Sequence, residues 1–101
     1  MNKLIRVIKN GKWTAIKNTL EAFQVAVGGY IETITIFDGI VLVCDEEGAL
    51  KGRTPSCNVL GCEIVGDWLL VGADEDEFTD LMEKDWKTMR TLGIIKPARA
   101  V

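Results

Sequence analysis

The chain has 101 residues, of which 48% are hydrophobic and 27% are charged, and its formal net charge is −3. These proportions are typical of one soluble globular domain and exclude a disordered or collagen-like chain. No apolar run approaches the roughly 18 residues that a membrane-spanning helix requires. Residues 1–6 lack the features of a signal peptide, so we expect a cytoplasmic protein. Twelve basic residues against fifteen acidic ones leave no basic surplus, and a nucleic-acid partner is therefore not expected.

The cysteine and histidine content limits the chemistry that the chain could perform. The three cysteines, Cys44, Cys57 and Cys62, are an odd number, which favours reduced thiols in a cytoplasm. Histidine is absent, so the commonest general base and the commonest transition-metal ligand are both missing. Three cysteines do not complete a four-ligand zinc site. We therefore expect neither a cofactor nor a metal site.

The first hairpin is predicted from Asn10-Gly11, a dipeptide that suits a two-residue turn. It lies between the apolar segments 4–9 and 12–16. The turn sets the register and predicts that Ile8 lies opposite Trp13 and Ile5 opposite Ile16.

A helix is predicted over residues 19–27. Asn18 is the predicted cap, with Glu21 three residues later completing a capping box. Leu20, Phe23 and Val27 fall on one face of this helix. Gly28-Gly29 would end it, and we expect a positive φ at one of the two glycines.

The second hairpin is predicted around Asp38-Gly39, between segments 30–37 and 40–44. A two-residue turn pairs Ile36 with Val41, Ile34 with Val43 and Glu32 with Asp45. The opposite face is half apolar, so we expect a helix or a second subunit to cover part of it.

The remaining chain predicts fewer regular elements. Residues 45–61 are irregular, a third hairpin is predicted with strands 62–65 and 68–71, and residues 74–77 form an acidic connector. A second helix is expected near residues 80–92, with Met82, Trp86 and Met89 on one face. The fold class is therefore α+β, mainly antiparallel, in the order β-β-α-β-β-β-β-α. It forms one domain over residues 1–95, followed by a loose tail of residues 96–101.

Four segments of the chain carry a family resemblance: Asn18-Thr19-Leu20-Glu21, Gly28-Gly29-Tyr30-Ile31-Glu32, the strand 41–45 with Glu47-Gly48, and Phe78-Thr79. Together they resemble domain-of-unknown-function family 3846, a family of short proteins from bacteria, phages and mobile elements. The resemblance runs from about residue 3 to residue 80, although Pro55-Ser56-Cys57-Asn58 departs from the Pro-x-Asn-Arg that members often carry. It implies a mobile-element setting and supplies no mechanism.

The preferred hypothesis is a non-enzymatic binding protein that engages a host protein, with counter-defence as a plausible purpose in that setting. Its contact surface would combine the irregular loop with the second hairpin face, because loops on a rigid sheet commonly carry recognition. The residues assigned to it are Lys51, Arg53 and Asn58 as the polar rim, and Phe37, Ile40 and Leu42 as the apolar area. A homodimer stays open as an alternative partner.

Two other function classes compete with this hypothesis. A small-ligand binder that sequesters a nucleotide signal would use the loop cations Lys51 and Arg53. A small enzyme would use Glu32 and Asp45, which could share a proton, bind Mg²⁺ or Ca²⁺ with Glu46 or Glu47, or pair with Arg53. Trp13, Trp68 and Trp86 are expected to pack in the core, and Cys57 and Cys62 are expected to be inert thiols.

Overall fold

The computed structural model describes residues 3–97 of the chain. These residues form nine strands and two helices, joined by turns and loops. The α+β class and the order of the predicted elements are confirmed, and β5, β8 and β9 are additional short strands. Neither helix in this part of the chain is long and apolar enough to cross a bilayer. The elements are β1 (Leu4–Lys9), β2 (Lys12–Lys17), α1 (Leu20–Val27), β3 (Ile31–Phe37), β4 (Ile40–Asp45), β5 (Pro55–Val59), β6 (Cys62–Val65), β7 (Trp68–Asp74), β8 (Glu77–Thr79), α2 (Glu83–Thr91) and β9 (Ile95–Pro97).

The strands form two antiparallel sheets. The larger sheet has the order β2-β1-β7-β4-β3, with β8 paired to the end of β7, and the smaller has the order β6-β5-β9. The central strand is β7, whose residues 68–72 are all buried. A continuous apolar run of this kind is expected where both faces of a strand are covered.

Both faces of the larger sheet are covered by the chain itself. On one face, α1 buries Phe23, Ala26 and Val27 against Val43 of β4 and Leu69 of β7. On the other face, the smaller sheet and α2 pack over the remaining side chains of the same strands, which include Ile40, Leu42, Cys44 and Leu70. The half-apolar face of the second hairpin is therefore covered from within the chain.

The two predicted hairpin registers have different outcomes. In the first hairpin, Ile8 lies opposite Trp13 and Ile5 opposite Ile16, as predicted. In the second, the register is shifted by a bulge between Thr35 and Phe37. A bulge adds one residue to a strand and displaces every later pair. The predicted pairing of Glu32 with Asp45 is therefore wrong: Cys44 lies opposite Glu32, and Ile31 lies opposite Asp45.

The predicted third hairpin does not form. Gly66-Asp67 connects β6 to β7, but β6 pairs with β5, whereas β7 pairs with β1, β4 and β8. The apolar segment of β7 can bury both faces only at the centre of the larger sheet. Asn10 fixes this connection, because its side chain donates to Asp67 and accepts from the amide of Trp68.

The helix ends also differ from the prediction by one or a few residues. Thr19 caps α1 by accepting from the amide of Ala22. Asn18, the predicted cap, instead donates its side-chain amide to the carbonyl of Phe78. Leu20, the first residue of α1, and Met82, the residue before α2, were predicted on the apolar helix faces but are exposed.

The end of the described chain is more regular than predicted. Lys96 and Pro97, assigned to a loose tail, lie in β9, which pairs with β5 through the register Val59–Ile95. Ile95 is buried in the core, so apolar burial at one residue holds this short strand against the smaller sheet. The rest of the predicted tail, residues 98–101, lies outside the described residues.

Gly28 provides a test of how the first helix ends. Its φ is +83°, and a Cβ there would lie 2.5 Å from an Arg53 guanidinium nitrogen. Gly11 has a φ of +89° and open space around a Cβ. A left-handed backbone conformation costs an L-residue about 1–2 kcal/mol. Gly11→Ala should therefore lower the free energy of unfolding by this backbone cost, with no added steric contact. Gly28→Ala should reduce the free energy of unfolding further, as measured by urea denaturation; equal costs would contradict the contact with Arg53.

Candidate functional site

The loop between β4 and β5, residues 46–54, carries two of the predicted binding residues, Lys51 and Arg53. Gly48 brings this loop against β6, since a Cβ at that position would lie 2.6 Å from the carbonyl oxygen of Val65. The amide of Gly48 donates to the carbonyl of Asp45, and the amide of Arg53 donates to the carbonyl of Gly48. These bonds fold the loop back toward the end of β4.

Asp45 holds the loop in this position. Its side chain is fully buried and its Oδ2 lies 3.0 Å from Lys51 Nζ and 3.3 Å from Arg53 Nε. Its Oδ1 accepts from the amide of Glu47 at 3.0 Å. A buried carboxylate is stable only when such partners satisfy it, so Asp45 determines where both cations lie.

The same two cations also cap the end of α1. Lys51 Nζ donates to the carbonyl oxygen of Gly28 at 3.2 Å, and Arg53 Nη2 donates to it at 3.0 Å. Positive charge at a helix C-terminus interacts favourably with the helix dipole. Lys51 and Arg53 therefore connect the loop to both β4 and α1, and we define Asp45, Lys51, Arg53 and Gly28 as the Asp45 cluster.

The ionisation of Asp45 follows from these contacts. Burial favours the neutral acid, but the hydrogen bonds from Glu47 and Lys51 and the charges of Lys51 and Arg53 outweigh it, so the pKa of Asp45 lies below its ordinary value. The carboxylate is thus charged at neutral pH and already occupied by two cations. An ion-paired carboxylate of this kind is a poor general acid or base.

The carboxylate pair considered for catalysis does not converge. Glu32 is exposed, and its Oε1 lies 3.8 Å from the thiol of Cys44. Asp45 faces α1 together with Ile31, whereas Glu32 lies on the opposite face of the sheet with Cys44. No cluster of three metal-ligating side chains occurs in residues 3–97.

The two buried thiols, Cys44 and Cys57, both have raised pKa values. Burial raises the pKa of Cys57 to about 12, with a smaller contribution from Cys44. Burial, followed by the charge and hydrogen bond of Glu32, raises the pKa of Cys44 to about 11. Since the thiolate is the nucleophile, both groups are unreactive at neutral pH, in agreement with the prediction for Cys57.

The six residues assigned to a contact surface are not brought together. Ile40 and Leu42 are 6% and 0% exposed and lie in the core under the smaller sheet; their assignment as contact residues is wrong. Phe37 is 45% exposed, but it lies at the turn of the second hairpin, roughly 17 Å along β4 from Asp45 at 3.3 Å per residue. Asn58 is half-buried in β5.

A cavity of about 470 Å³ lies between the first hairpin turn, the smaller sheet and α2. Its floor includes the buried side chains of Trp68, Trp86 and Cys57. Arg90 and Lys96 supply its charged groups, and the Arg90 guanidinium lies 4.9 Å from the centre of the Trp86 ring. Both indoles were predicted to pack in the core, but no local sequence pattern joins them to these two cations. We call this feature the indole cavity; Asn10, Gly11, Ser56, Ile95 and Pro97 complete its lining.

The outer edge of β3 is open. In residues 3–97, β3 pairs only with β4 and ends the larger sheet. Glu32, Thr33 and Thr35 are exposed along it, and the exposed aromatic side chains of Tyr30 and Phe37 lie at its two ends. The strand itself is predicted by its sequence pattern, but its position at an edge depends on long-range strand pairing.

The fold and these surfaces define a small α+β domain that presents an open sheet edge and a cavity. Residues 2–92 match the family model described as a domain of unknown function, DUF3846, and the chain belongs to that family. The resemblance seen in the sequence is thereby confirmed, and it extends beyond residue 80 into α2. No curated protein and no solved structure matches the chain.

Removing the charge of Asp45 should destabilise the protein without changing its fold. Asp45→Asn leaves Lys51 and Arg53 without an anionic partner, and we expect a loss of about 2 kcal/mol, below the usual range for fully buried pairs because both cations are partly exposed. The isosteric amide still accepts from the Glu47 amide. Urea denaturation at pH 7 measures the change, and Glu46→Gln, an exposed neighbour, is the matched control.

The pH dependence gives a second measurement on the same variant. A lowered folded-state pKa stabilises the protein above the unfolded value of about 4, and this contribution is lost as the pH falls through the folded-state pKa. The wild-type free energy of unfolding should therefore decrease below pH 4 more steeply than that of Asp45→Asn. Parallel curves would show that Asp45 has an ordinary pKa.

Proposed function

We propose that this chain is a non-enzymatic binding protein that engages a partner protein by taking up an extended segment of it alongside β3. Strand addition to an open sheet edge is a common mode of peptide recognition. The observation that carries the proposal is the difference between the two edges of the larger sheet. Edge strands attract other chains unless they carry protective features such as lysines or proline.

The two edge strands differ in this protection. β2 has a lysine at each end, Lys12 and Lys17. β3 has no lysine, arginine or proline in seven residues, and its only charged residue is Glu32. Its bulge lies near Phe37, so residues 31–35 remain regular. β3 is therefore the edge that favours an added strand.

The direction of the backbone groups identifies which amides a partner would reach. The carbonyl of Tyr30 accepts from the amide of Glu46, so Tyr30 bonds toward β4. In an antiparallel pair, alternate residues bond toward and away from the neighbour. The backbone amides and carbonyls of Glu32 and Ile34 thus form hydrogen bonds with β4. Those of Ile31, Thr33 and Thr35 point away from β4, toward the open edge.

The side chains along this edge indicate the chemistry of the partner. Tyr30 and Phe37 are the exposed aromatic residues among residues 3–97, and they lie at opposite ends of β3. Exposed aromatic residues often anchor protein interfaces. Glu32 favours a lysine or arginine opposite it. We infer an extended partner segment that is basic at one position and has β-branched or apolar neighbours.

The catalytic alternative has less support. Asp45 is ion-paired to Lys51 and Arg53, Glu32 lies on the other face of the sheet, and burial raises the pKa of Cys44 and of Cys57. The phage or mobile-element setting, the host origin of the partner, the role in counter-defence and the cytoplasmic location are parts of the same proposal. The identity of the neighbouring genes would test the setting.

A proline at position 33 tests the edge directly. Thr33→Pro removes one outward amide without breaking a bond to β4, and proline is tolerated on edge strands. We expect the variant to fold, with a thermal midpoint close to that of Thr33→Val, which keeps the amide and serves as the control. Immobilised wild type and Thr33→Val should retain the same partner from a bacterial lysate, and Thr33→Pro should lose it.

Hydrogen exchange then locates the contact. Addition of the purified partner should slow exchange at the amides of Ile31, Thr33 and Thr35, because these donors gain acceptors. A partner that binds Thr33→Pro as tightly as wild type would contradict the proposal. Self-association of the wild type that Thr33→Pro abolishes, measured by sedimentation, would assign the edge to a second copy and reject a separate partner protein.

The aromatic anchors give an independent test. Tyr30→Ala and Phe37→Ala should each weaken partner binding by about 2 kcal/mol, the size typical of an interface hot spot. Leu50→Ala is the control, because Leu50 is an exposed apolar residue that does not belong to β3. Titration calorimetry with the purified partner measures the three affinities. Equal losses in all three variants would contradict an anchor role for the two aromatic residues.

A further inference from the structure

The indole cavity has a charge pattern unlike that of the whole chain. The protein carries a net charge of −3, yet the charged residues lining this cavity are Arg90 and Lys96, both cationic. Among residues 3–97, no carboxylate lies within 4.0 Å of either side chain. The cavity therefore has a positive mouth in an acidic protein, and low-dielectric walls focus such a field on an anion.

The floor of the cavity is apolar and aromatic. Trp68, Trp86, Cys57 and Ile95 are buried core residues that also line it. The volume of about 470 Å³ lies within the range of small-molecule sites, which combine apolar walls with a few polar groups. An aromatic ring fits such a floor, and Arg90 and Lys96 suit an anionic substituent at its margin.

Two polar side chains that line the cavity, Asn10 and Ser56, are already bonded within the protein. The side chain of Asn10 bonds to Asp67 and to the amide of Trp68, and the hydroxyl of Ser56 donates to the carbonyl of Gly66. These groups hold the wall in place before any ligand arrives. The two cations at the mouth are the charged groups left to orient a ligand.

From this geometry we propose that the indole cavity binds a small planar anion, an aromatic ring that carries a phosphate, sulfonate or carboxylate group. The ring lies on the apolar floor, and the anionic group lies between Arg90 and Lys96. The site is separate from the β3 edge, because none of the residues lining the cavity belongs to β3.

The probe for this site is 1-anilinonaphthalene-8-sulfonate, an aromatic anion whose fluorescence rises on binding. N-phenyl-1-naphthylamine has the same rings without the sulfonate and reports the apolar contribution alone. Wild type should bind the sulfonate probe at one site, and binding should weaken with salt as charge screening increases. The indole fluorescence of Trp68 and Trp86 should be quenched in parallel.

Two substitutions separate the contribution of the cations from non-specific apolar binding of the probe. Loss of a charge-assisted contact costs at least about 1.4 kcal/mol, which corresponds to a tenfold change in affinity. Arg90→Gln and Lys96→Gln should therefore each weaken the sulfonate probe about tenfold and leave the neutral probe unchanged. Lys87→Gln is the control, since Lys87 is an exposed cation of α2 that does not line the cavity. Lys96→Gln stays informative if Arg90→Gln disturbs the packing of Trp86.

Displacement of the probe distinguishes the sources of the anionic group. Adenosine 5′-monophosphate represents an aromatic phosphate, 1-naphthoate represents an aromatic carboxylate, and adenosine is the neutral control. Displacement of the sulfonate probe by either anion, but not by adenosine, supports the proposal. The anion that displaces it shows whether the site accepts a phosphate or a carboxylate. Absence of saturable probe binding, or equal binding by wild type and both cavity variants, would overturn it. Neither result depends on the β3 edge, which Thr33→Pro, Tyr30→Ala and Phe37→Ala test separately.

Discussion

The rest of the structure depends on the burial of β7 on both faces. Leu69, Leu70 and Val71 have no exposed surface, and each such side chain contributes about 1.5–3 kcal/mol by leaving water. Alternate residues of this strand serve two separate cores: Trp68 and Leu70 face the smaller sheet and α2, and Leu69 faces α1. β1 and β4 pair with its two sides. The position of β7 therefore determines which strands are left at the edges, and β3 is one of them.

The Asp45 cluster has a different structural role, because it holds an irregular loop against the rest of the domain. The loop of residues 46–54 contains no strand or helix, so its backbone cannot be fixed by a sheet ladder. A buried carboxylate at the end of β4 provides the attachment instead, because Lys51 and Arg53 must satisfy it. The close approach at Gly28 belongs to the same arrangement, since Arg53 occupies the space in which a side chain would lie. The loop cations are thus engaged within the protein, which is why they make a weak case for ligand binding.

The surfaces left for recognition use residues outside this cluster, although β3 begins beside it, where Ile31 lies opposite Asp45. The edge of β3 offers backbone donors and acceptors between Tyr30 and Phe37, and the indole cavity offers an apolar floor beneath two cations. The first suits an extended chain and the second suits a small anion. The two features lie on different elements and could serve separate ligands.

Local signals in the sequence determined the elements that depend on near neighbours. Asn10-Gly11 fixed the first hairpin and its register, Gly28 ended α1 with a positive φ, and the spacing of Trp86 and Met89 identified the buried face of α2. The matching segments identified the family. Each of these outcomes depends on turn geometry or helical periodicity, which a short stretch of chain expresses by itself.

Only the tertiary structure decided which strands pair across long separations and which residues face solvent. Gly66-Asp67 looks like a hairpin turn, but burial of β7 separates the two strands that it joins. The bulge near Ile36 moved Glu32 away from Asp45, and the cover from the smaller sheet removed Ile40 and Leu42 from the surface. Arg90 and Lys96 meet at one cavity although the sequence gives no sign of it. These outcomes depend on competition among distant apolar surfaces for the same core, which no local pattern records.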